Sequence, residues 1–177
     1  KLNFLKDNFN LSEILSKLLA IRNIKLEDVK VFLNPKIKNL IPNPFILKDM
    51  DKAVARSVKA INEKQKIGIF GDYDVDGATS TAILGNYFKE IGQKVEIYIP
   101  DRKTEGYGPS KKGFDKLILN GSNLIFTVDC GTLSFETIEH FQNKNTDILV
   151  LDHHQSELKL PNAFSVVNPN RYDDKSK

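Results

Sequence analysis

Gly71-Asp72-Tyr73-Asp74-Val75-Asp76-Gly77 places three carboxylates at alternate positions, between an apolar run and a helix-like segment. Three negative charges this close repel one another unless a cation binds them or some of them stay protonated. Carboxylate oxygens are the ligands that Mg²⁺ and Mn²⁺ prefer. The stretch therefore predicts a divalent-metal site, to which the rest of the chain brings further ligands.

The composition is that of an ordinary globular protein, and 177 residues suffice for one medium domain or a core with a small appendage. A net charge of +3 excludes a tail built for bulk binding to nucleic acid, but leaves local basic patches open. The single cysteine excludes an intrachain disulfide framework, which suits a reducing cytoplasm. No apolar run reaches transmembrane length, so we expect no membrane partner. Because the chain begins at Lys1 and ends in a charged run, we expect a fragment of a longer protein.

Residues 1–65 are predicted to form a helical leader, and no pattern in them indicates a catalytic or metal-binding site. One helix follows Asn10 as N-cap, with a predicted buried face of Leu11, Ile14, Leu15, Leu18 and Leu19. A short helix is predicted over Leu26–Leu33 and an extended, proline-containing connector over residues 34–47. A third helix is predicted over Met50–Lys64, with Asp49 as N-cap and with Met50, Val54, Val58 and Ile61 on its buried face.

From residue 66 to residue 177, short apolar strands alternate with amphipathic helices. The predicted strands are Ile67–Phe70, Val95–Ile99, Leu124–Val128, Ile148–Leu151 and Phe164–Val167. The predicted helices are Ala78–Ile91, Lys111–Leu119 and Phe135–Phe141. This alternation with short loops predicts an α/β fold with a doubly wound, mainly parallel sheet.

Three of these strands end in acidic or histidine-bearing loops, which a parallel sheet would gather at one edge. The residues are Asp72, Asp74, Asp76, Asp129, Asp152, His153 and His154. Each has a simpler explanation when taken alone. Asp76 could cap a helix, Asp129 could be a turn residue, and the two histidines could be packed or solvated. Their coincidence at three strand ends favours a metal site.

The ligand types favour Mn²⁺ or Mg²⁺ over structural zinc, which would require more thiolates than Cys130. So many carboxylates also suit two ions that share a bridging aspartate, an arrangement that promotes in-line displacement at phosphorus. The nucleotide-binding glycine motifs and the nucleophile-elbow motif are absent from the sequence. Cys130 could be a nucleophile beside His153, although a buried thiol that fills space is the simpler interpretation.

The loop Asp101–Lys112 follows the second strand and leaves the sheet at the same edge. It combines cations, an aromatic ring and glycines, which suit single-stranded nucleic acid. The expected contacts are Arg102, Lys103, Tyr107 and Lys111. An ordinary solvated loop is the alternative.

Three motifs together resemble the DHH phosphoesterase superfamily: Ile69–Ser80, Thr127–Gly131 and Leu151–His154. Flanking segments resemble the RecJ-type branch of single-strand-specific exonucleases. They are Phe32–Pro35, Asp49–Ala53, Glu105–Gly108 and Val167–Asn170.

The resemblance implies that two Mn²⁺ or Mg²⁺ ions are held by Asp74, Asp76, Asp129 and His153, with Asp129 as the bridge. Asp72 and Asp152 would lie in or next to the coordination shell. His154 would face the scissile phosphate, so that Asp129, His153 and His154 form the catalytic set. A further aspartate ligand, a second lobe and an oligonucleotide-binding fold would lie outside this chain, and the fragment alone could then be inactive.

The resemblance further implies a 5′→3′ exonuclease that acts on single-stranded DNA in recombination and repair. It implies a cytoplasmic monomer whose partners include a single-strand-binding protein and a helicase. Two alternatives stay open: a DHH phosphatase acting on nanoRNA or pyrophosphate, and a non-catalytic DHH scaffold.

Overall fold

The computed structural model describes residues 2–141 and 146–176, so that Lys1 and Lys177, the outer ends of the predicted segments, lie outside it. The chain divides into two compact units, Lys1–Asn43 and Pro44–Lys177. In the first unit, the helices are α1 (Leu2–Phe9), α2 (Glu13–Ile21), α3 (Val29–Leu33) and α4 (Ile37–Leu40). A small core of Leu5, Leu19 and Val29 holds this unit together.

The second unit opens with a 3₁₀ turn (Pro44–Ile46) and contains the strands and the remaining helices. The helices are α5 (Met50–Asn62), α6 (Val75–Glu90), α7 (Lys111–Leu119) and α8 (Phe135–Phe141). The strands are β1 (Ile67–Gly71), β2 (Val95–Tyr98), β3 (Leu124–Val128), β4 (Asp147–Leu151) and β5 (Ser165–Val167). Helix α5 therefore belongs to the same compact unit as the sheet, although it lies in the segment predicted as the leader.

Within the described residues, the five strands form one sheet in the order β2-β1-β3-β4-β5, and every pair is parallel. The chain adds β2 on one side of β1 and then returns to add β3 on the other side. The sheet is therefore doubly wound, as predicted, and its strand order reverses between β1 and β3. Loops at the carboxyl ends of these two strands flank the position where such folds bind ligands.

Side chains of each strand alternate between two apolar layers, one on each face of the sheet. Phe70 and Ile125 lie in the layer that includes Phe114 of α7 and Phe141 of α8. Ile69, Phe126 and Leu149 lie in the layer that includes Ala60 of α5 and Phe88 of α6, and all of these side chains are at most 3% exposed. A parallel sheet needs both faces covered, which explains why its strands are apolar throughout.

The buried faces of two helices differ from the sequence prediction. Ser12, not Asn10, caps α2, and Ile14 and Leu18 are largely exposed while Leu19 is buried. In α5 the buried residues are Ala53, Arg56 and Ala60, whereas Val54 and Val58 are partly exposed. The buried face of α5 is thus formed by two alanines and by Arg56, which pairs with Asp147, and not by the larger apolar residues.

Asp49 does not use its side chain as the predicted cap of α5. Its carboxylate instead accepts hydrogen bonds from Arg171 Nη1 at 2.8 Å and from the backbone N–H of Val166 at 3.4 Å. Asp49 therefore joins the start of α5 to the edge strand β5.

The connector over residues 34–47, predicted as extended, contains the short helix α4 and the 3₁₀ turn.

Helix α6 begins at Val75, three residues before the predicted start, because the Asp74 carboxylate caps it by accepting the backbone N–H of Gly77 at 2.9 Å. The first turn of the helix then packs directly against the end of β1. A Cβ atom on Gly77 would lie 2.4 Å from the carbonyl oxygen of Asp72, a distance that no ordinary contact allows. The glycine permits the close approach that brings the acidic turn to the sheet.

Among the described residues, no helix has the length and apolar character needed to cross a lipid bilayer.

We predict that Gly77→Ala lowers the free energy of unfolding by about 1–3 kcal/mol, because the new methyl group meets backbone that cannot move aside. Urea denaturation followed by circular dichroism measures the loss. Gly85→Ala is the matched control in the same helix, since its methyl group meets side chains and not backbone: the end of Ile97 at 3.0 Å and that of Ile69 at 3.8 Å. Equal stability of the two variants would contradict the close-packing explanation.

Candidate metal centre

Parallel register sets the acidic strand ends side by side. Gly71, Val128 and Leu151 are register partners across β1, β3 and β4. The residue that follows each strand is an aspartate: Asp72, Asp129 and Asp152. Three carboxylates from distant parts of the chain therefore meet at one edge of the sheet, as the sequence predicted.

The loop after β1 holds Asp72 and Asp74 in different environments. Asp72 is fully buried, and its Oδ1 accepts the backbone N–H of Tyr73 at 2.7 Å. Its Oδ2 is buried without a hydrogen-bond partner among the described residues. Burial and the neighbouring Asp74 charge raise the pKa of Asp72, whereas the hydrogen bond from Gly77 lowers the pKa of the exposed Asp74.

Asp129 sits at the centre of the edge, in the left-handed backbone region with φ of 60°. Its N–H donates to the carbonyl oxygen of Leu151 at 2.9 Å, which fixes the turn after β3 to the end of β4. Its Oδ1 lies 2.9 Å from His153 Nε2. Burial and the charge of Asp74 raise the pKa of Asp129, so this carboxylate carries an electrostatic cost that a cation would offset.

Asp152 is buried, and its carboxylate is engaged by protein donors. Oδ1 accepts the backbone N–H groups of His153 and His154 and lies 2.7 Å from His154 Nδ1, while Oδ2 accepts the N–H of Thr132 at 3.0 Å. Burial alone would raise the pKa of Asp152, but these hydrogen bonds lower it. In return, the hydrogen bond to Asp152 raises the pKa of His154.

Two overlapping groups of donor atoms, each with all atoms within 4.8 Å of one another, lie at this edge among the described residues. They are Asp72, Asp74 and Asp129 in one group, and Asp129, His153 and His154 in the other. Asp129 belongs to both. The residues fit divalent metal, because buried, mutually repelling carboxylates with one unpartnered oxygen require positive charge, and oxygen with imidazole suits Mn²⁺ or Mg²⁺.

Asp76 lies outside both groups. It occupies the first turn of α6 and faces an open cleft of about 570 Å³. Asp129 and His153 line the same cleft, together with Thr79 and Ser80 of α6. Asp76 thus borders the same cleft as Asp129 and His153. The helix cap that the sequence allowed for Asp76 is formed by Asp74.

Side chains of the loop after β2 reach the residues of the acidic edge at two points. The Arg102 guanidinium lies 5.3 Å from the centroid of the Tyr73 ring. The Tyr107 hydroxyl lies 3.1 Å from His154 Nε2. Lys103 and Lys111 have exposed side chains in the same segment. The loop predicted to contact nucleic acid is therefore adjacent to the acidic edge.

Glu105 organises this loop, a role that the sequence analysis did not assign. Its carboxylate accepts hydrogen bonds from the Tyr98 hydroxyl at 2.7 and 2.8 Å and from Ser110 Oγ at 2.8 Å. Burial would raise the pKa of Glu105, but these hydrogen bonds lower it to about 2. The sequence signal that could have indicated this role is an acidic residue in an otherwise basic loop.

Cys130 is buried, and burial raises its pKa, as expected for a thiol that fills space.

A sequence profile described as "DHH family, N-terminal domain" matches residues 66–177. The chain belongs to the DHH family. It is 33% identical over 170 residues to the single-stranded-DNA-specific exonuclease RecJ of Bacillus subtilis, covering 96% of this chain and 22% of that protein. It is also 33% identical over 164 residues to RecJ of Escherichia coli, covering 92% of this chain and 28% of that protein. The chain thus spans about a quarter of the length of these curated relatives.

Solved structures of RecJ proteins are among those that resemble this DHH chain. A crystal structure of exonuclease RecJ bound to manganese matches with a TM-score of 0.66 and 32% identity, covering 76% of this chain and 34% of that one. RecJ in complex with Mn²⁺ from Thermus thermophilus matches with a TM-score of 0.63 and 29% identity, covering 81% of this chain and 20% of that one. The family and the α/β fold expected from the sequence motifs are confirmed.

The lowered pKa of Glu105 predicts how the stability of the protein depends on pH. Its pKa in the folded protein is depressed, so its stabilising contribution is present above its ordinary pKa near 4.5 and is lost as the pH falls towards 2. We expect Glu105→Gln to be less stable than the parent by about 1–3 kcal/mol at pH 7, with the difference shrinking below pH 4.5.

Urea denaturation at a series of pH values measures this difference. Glu90→Gln, at an exposed carboxylate of α6, is the control for the removal of one charge. A stability difference for Glu105→Gln that stays constant down to pH 2 would contradict the role of the ionised carboxylate.

Proposed function

We propose that this chain carries the metal-binding catalytic centre of a nuclease that hydrolyses phosphodiester bonds in single-stranded DNA from the 5′ end. The observation that carries the proposal is the pair of donor groups that share Asp129, beside a loop with cations and an aromatic ring. The similarity to RecJ proteins supports the substrate class.

The metal is proposed to be Mn²⁺ or Mg²⁺, with two ions. The first donor group, Asp72, Asp74 and Asp129, would hold one ion, and Asp129 with His153 would hold the second. Asp76 faces the same cleft and is proposed as a further ligand. When bound, such ions supply positive charge that polarises a phosphoryl oxygen and makes water more acidic. The manganese-bound RecJ structures support this choice of metal.

We propose different roles for Asp152 and His154. Both oxygens of Asp152 accept hydrogen bonds from the protein, which supports a role in orienting His154 rather than in binding metal. His154 Nδ1 is hydrogen-bonded to Asp152, and His154 Nε2 lies within reach of the Tyr107 hydroxyl. We propose that His154 contacts the scissile phosphate and holds a proton there, while Asp129 and His153 complete the catalytic set.

The strand of DNA is proposed to run along the loop after β2. Arg102, Lys103 and Lys111 would contact phosphates, and the largely exposed Tyr107 ring would contact a base. The wider setting follows from the same proposal: a cytoplasmic monomer in recombination and repair, with a single-strand-binding protein and a helicase as partners.

Asp129→Asn in the full protein should lower hydrolysis of long single strands in Mn²⁺ by about 10²- to 10³-fold or more, because the shared carboxylate charge is lost. Asparagine tolerates the left-handed backbone of this position, so the fold should survive. The measurement is release of nucleotides from single strands labelled at one end, alongside binding of the same strands by fluorescence anisotropy, which should persist.

Glu139→Gln, at an exposed carboxylate of α8, is the control and should retain hydrolysis. Wild-type turnover by Asp129→Asn would rule out the shared-ligand assignment. Faster hydrolysis of dinucleotides or pyrophosphate than of long strands by the parent protein would instead establish a small-substrate phosphatase. Absence of Mn²⁺ binding in calorimetry would establish a non-catalytic scaffold.

The proposed DNA path predicts a change in salt dependence. Combining Lys103→Ala with Lys111→Ala should weaken single-strand binding and reduce the slope of log affinity against log salt by about 0.7 for each lost phosphate contact. Anisotropy titrations at several salt concentrations measure the slope. Lys59→Ala, which removes an exposed lysine from α5, should leave it unchanged. An unchanged slope in the double variant would exclude these lysines from the DNA path.

A further inference from the structure

Asn168 is a completely buried polar residue that immediately follows β5. Its side-chain amide donates two hydrogen bonds from Nδ2, each of 2.9 Å. One goes to Thr132 Oγ1 in the loop after β3, and the other goes to the carbonyl oxygen of His154 in the loop after β4. A single side chain thus links the two loops that present Asp129 and His153.

The acceptor atom of Asn168 is also used. Oδ1 accepts the backbone N–H of Asn170 at 2.7 Å, which folds the chain after β5 back towards the histidine loop. The side chain of Asn170 then donates to the carbonyl oxygen of His153. Both histidines of the loop are therefore held through their backbone carbonyls by asparagines that come from the neighbouring strand end.

Asn168 and Asp152 form hydrogen bonds with the same two residues, Thr132 and His154. The N–H of Thr132 donates to Asp152 Oδ2, while the hydroxyl of the same residue accepts from Asn168. The backbone N–H of His154 donates to Asp152 Oδ1, while its carbonyl accepts from Asn168. Thr132 and the backbone of His154 are each held on two sides, which fixes the separation of the two loops.

We propose that Asn168 is a positioning residue of the metal centre, which sets the distance between Asp129 and His153 by bridging their loops. This inference rests on the proposed function. Asn168 has no role as a ligand or as a substrate contact. Its function is to hold the shared aspartate and the histidine at the separation that the second ion requires, because sites of this kind tolerate displacements of only about 0.5 Å.

The chemistry of an amide explains why asparagine is needed. Two donors on one nitrogen match two acceptors on separate loops, and the oxygen accepts a third bond. Alanine would leave Thr132 Oγ1 and the His154 carbonyl without their buried donor, so that the loops would move to find water or other partners. A leucine-sized apolar residue would fill the space but supply no donor.

The first test is Asn168→Ala in the full protein, with three readouts: Mn²⁺ affinity, steady-state kinetics (kcat and KM) and thermal unfolding. We expect Mn²⁺ affinity from calorimetry and kcat on single-stranded DNA each to fall by about 10- to 100-fold, the range found for residues that orient metal ligands. KM for the DNA should be unchanged, because Asn168 is proposed to touch no substrate. Thermal unfolding without metal measures how much stability is lost, and a purely structural role would change this third readout alone.

Ser165→Ala is the matched control, since Ser165 is a buried polar residue of β5 whose hydroxyl has no hydrogen-bond partner among the described residues. It should keep Mn²⁺ affinity and kcat. If Asn168→Ala folds and binds Mn²⁺ with the affinity of the parent protein, the inference is overturned.

A second pair of variants decides the question if Asn168→Ala does not fold. Thr132→Val removes the acceptor hydroxyl at similar volume, whereas Thr132→Ser keeps it. We expect the valine variant to lose Mn²⁺ affinity and the serine variant to retain it. Equal affinities would overturn the inference while leaving the proposed function intact, whereas a parent protein that binds no Mn²⁺ would overturn both.

Discussion

Repulsion between buried carboxylates is the constraint on which this structure depends. Asp72 and Asp129 are buried within reach of Asp74, and their pKa values are raised by burial first and by the charge of Asp74 in addition. A fold keeps such an arrangement ionised only if its packing holds the groups together and positive charge offsets their repulsion. The parallel sheet supplies the packing, because its strands are buried on both faces and end at a common edge.

The approach of helix α6 to the sheet shows how backbone packing serves the site. Gly77 allows the first turn of the helix to touch the backbone after β1, while Asp74 caps that turn. The cap engages one oxygen of Asp74 and lowers its pKa, whereas the pKa of the buried Asp72 is raised. One short motif therefore starts a helix and gives two of its carboxylates opposite pKa shifts.

Polar residues behind the acidic edge hold the loops that carry its donor groups. Asp152 holds the histidine loop by its N–H groups, Asn168 holds it by a carbonyl, and Glu105 holds the neighbouring basic loop. Each accepts or donates several hydrogen bonds, and their side chains are largely shielded from solvent. Buried, fully satisfied networks of this kind favour a single arrangement over alternatives. These hydrogen bonds connect the loops at the edge of the sheet to one another and to their strands.

The sequence by itself determined the sheet, the family and the acidic edge. Apolar runs of strand length alternate with helical segments, and aspartates follow directly after β1, β3 and β4, so parallel pairing alone brings them together. Only the tertiary structure decided which side chains lie together in a donor group and which make hydrogen bonds behind it. It placed Asp72 inside a donor group and Asp76 outside, turned Asp152 inward, and brought in Asn168 and Glu105. The physical reason is that strand ends are set by local pattern, whereas side-chain direction and hydrogen bonding depend on neighbours far away in the chain.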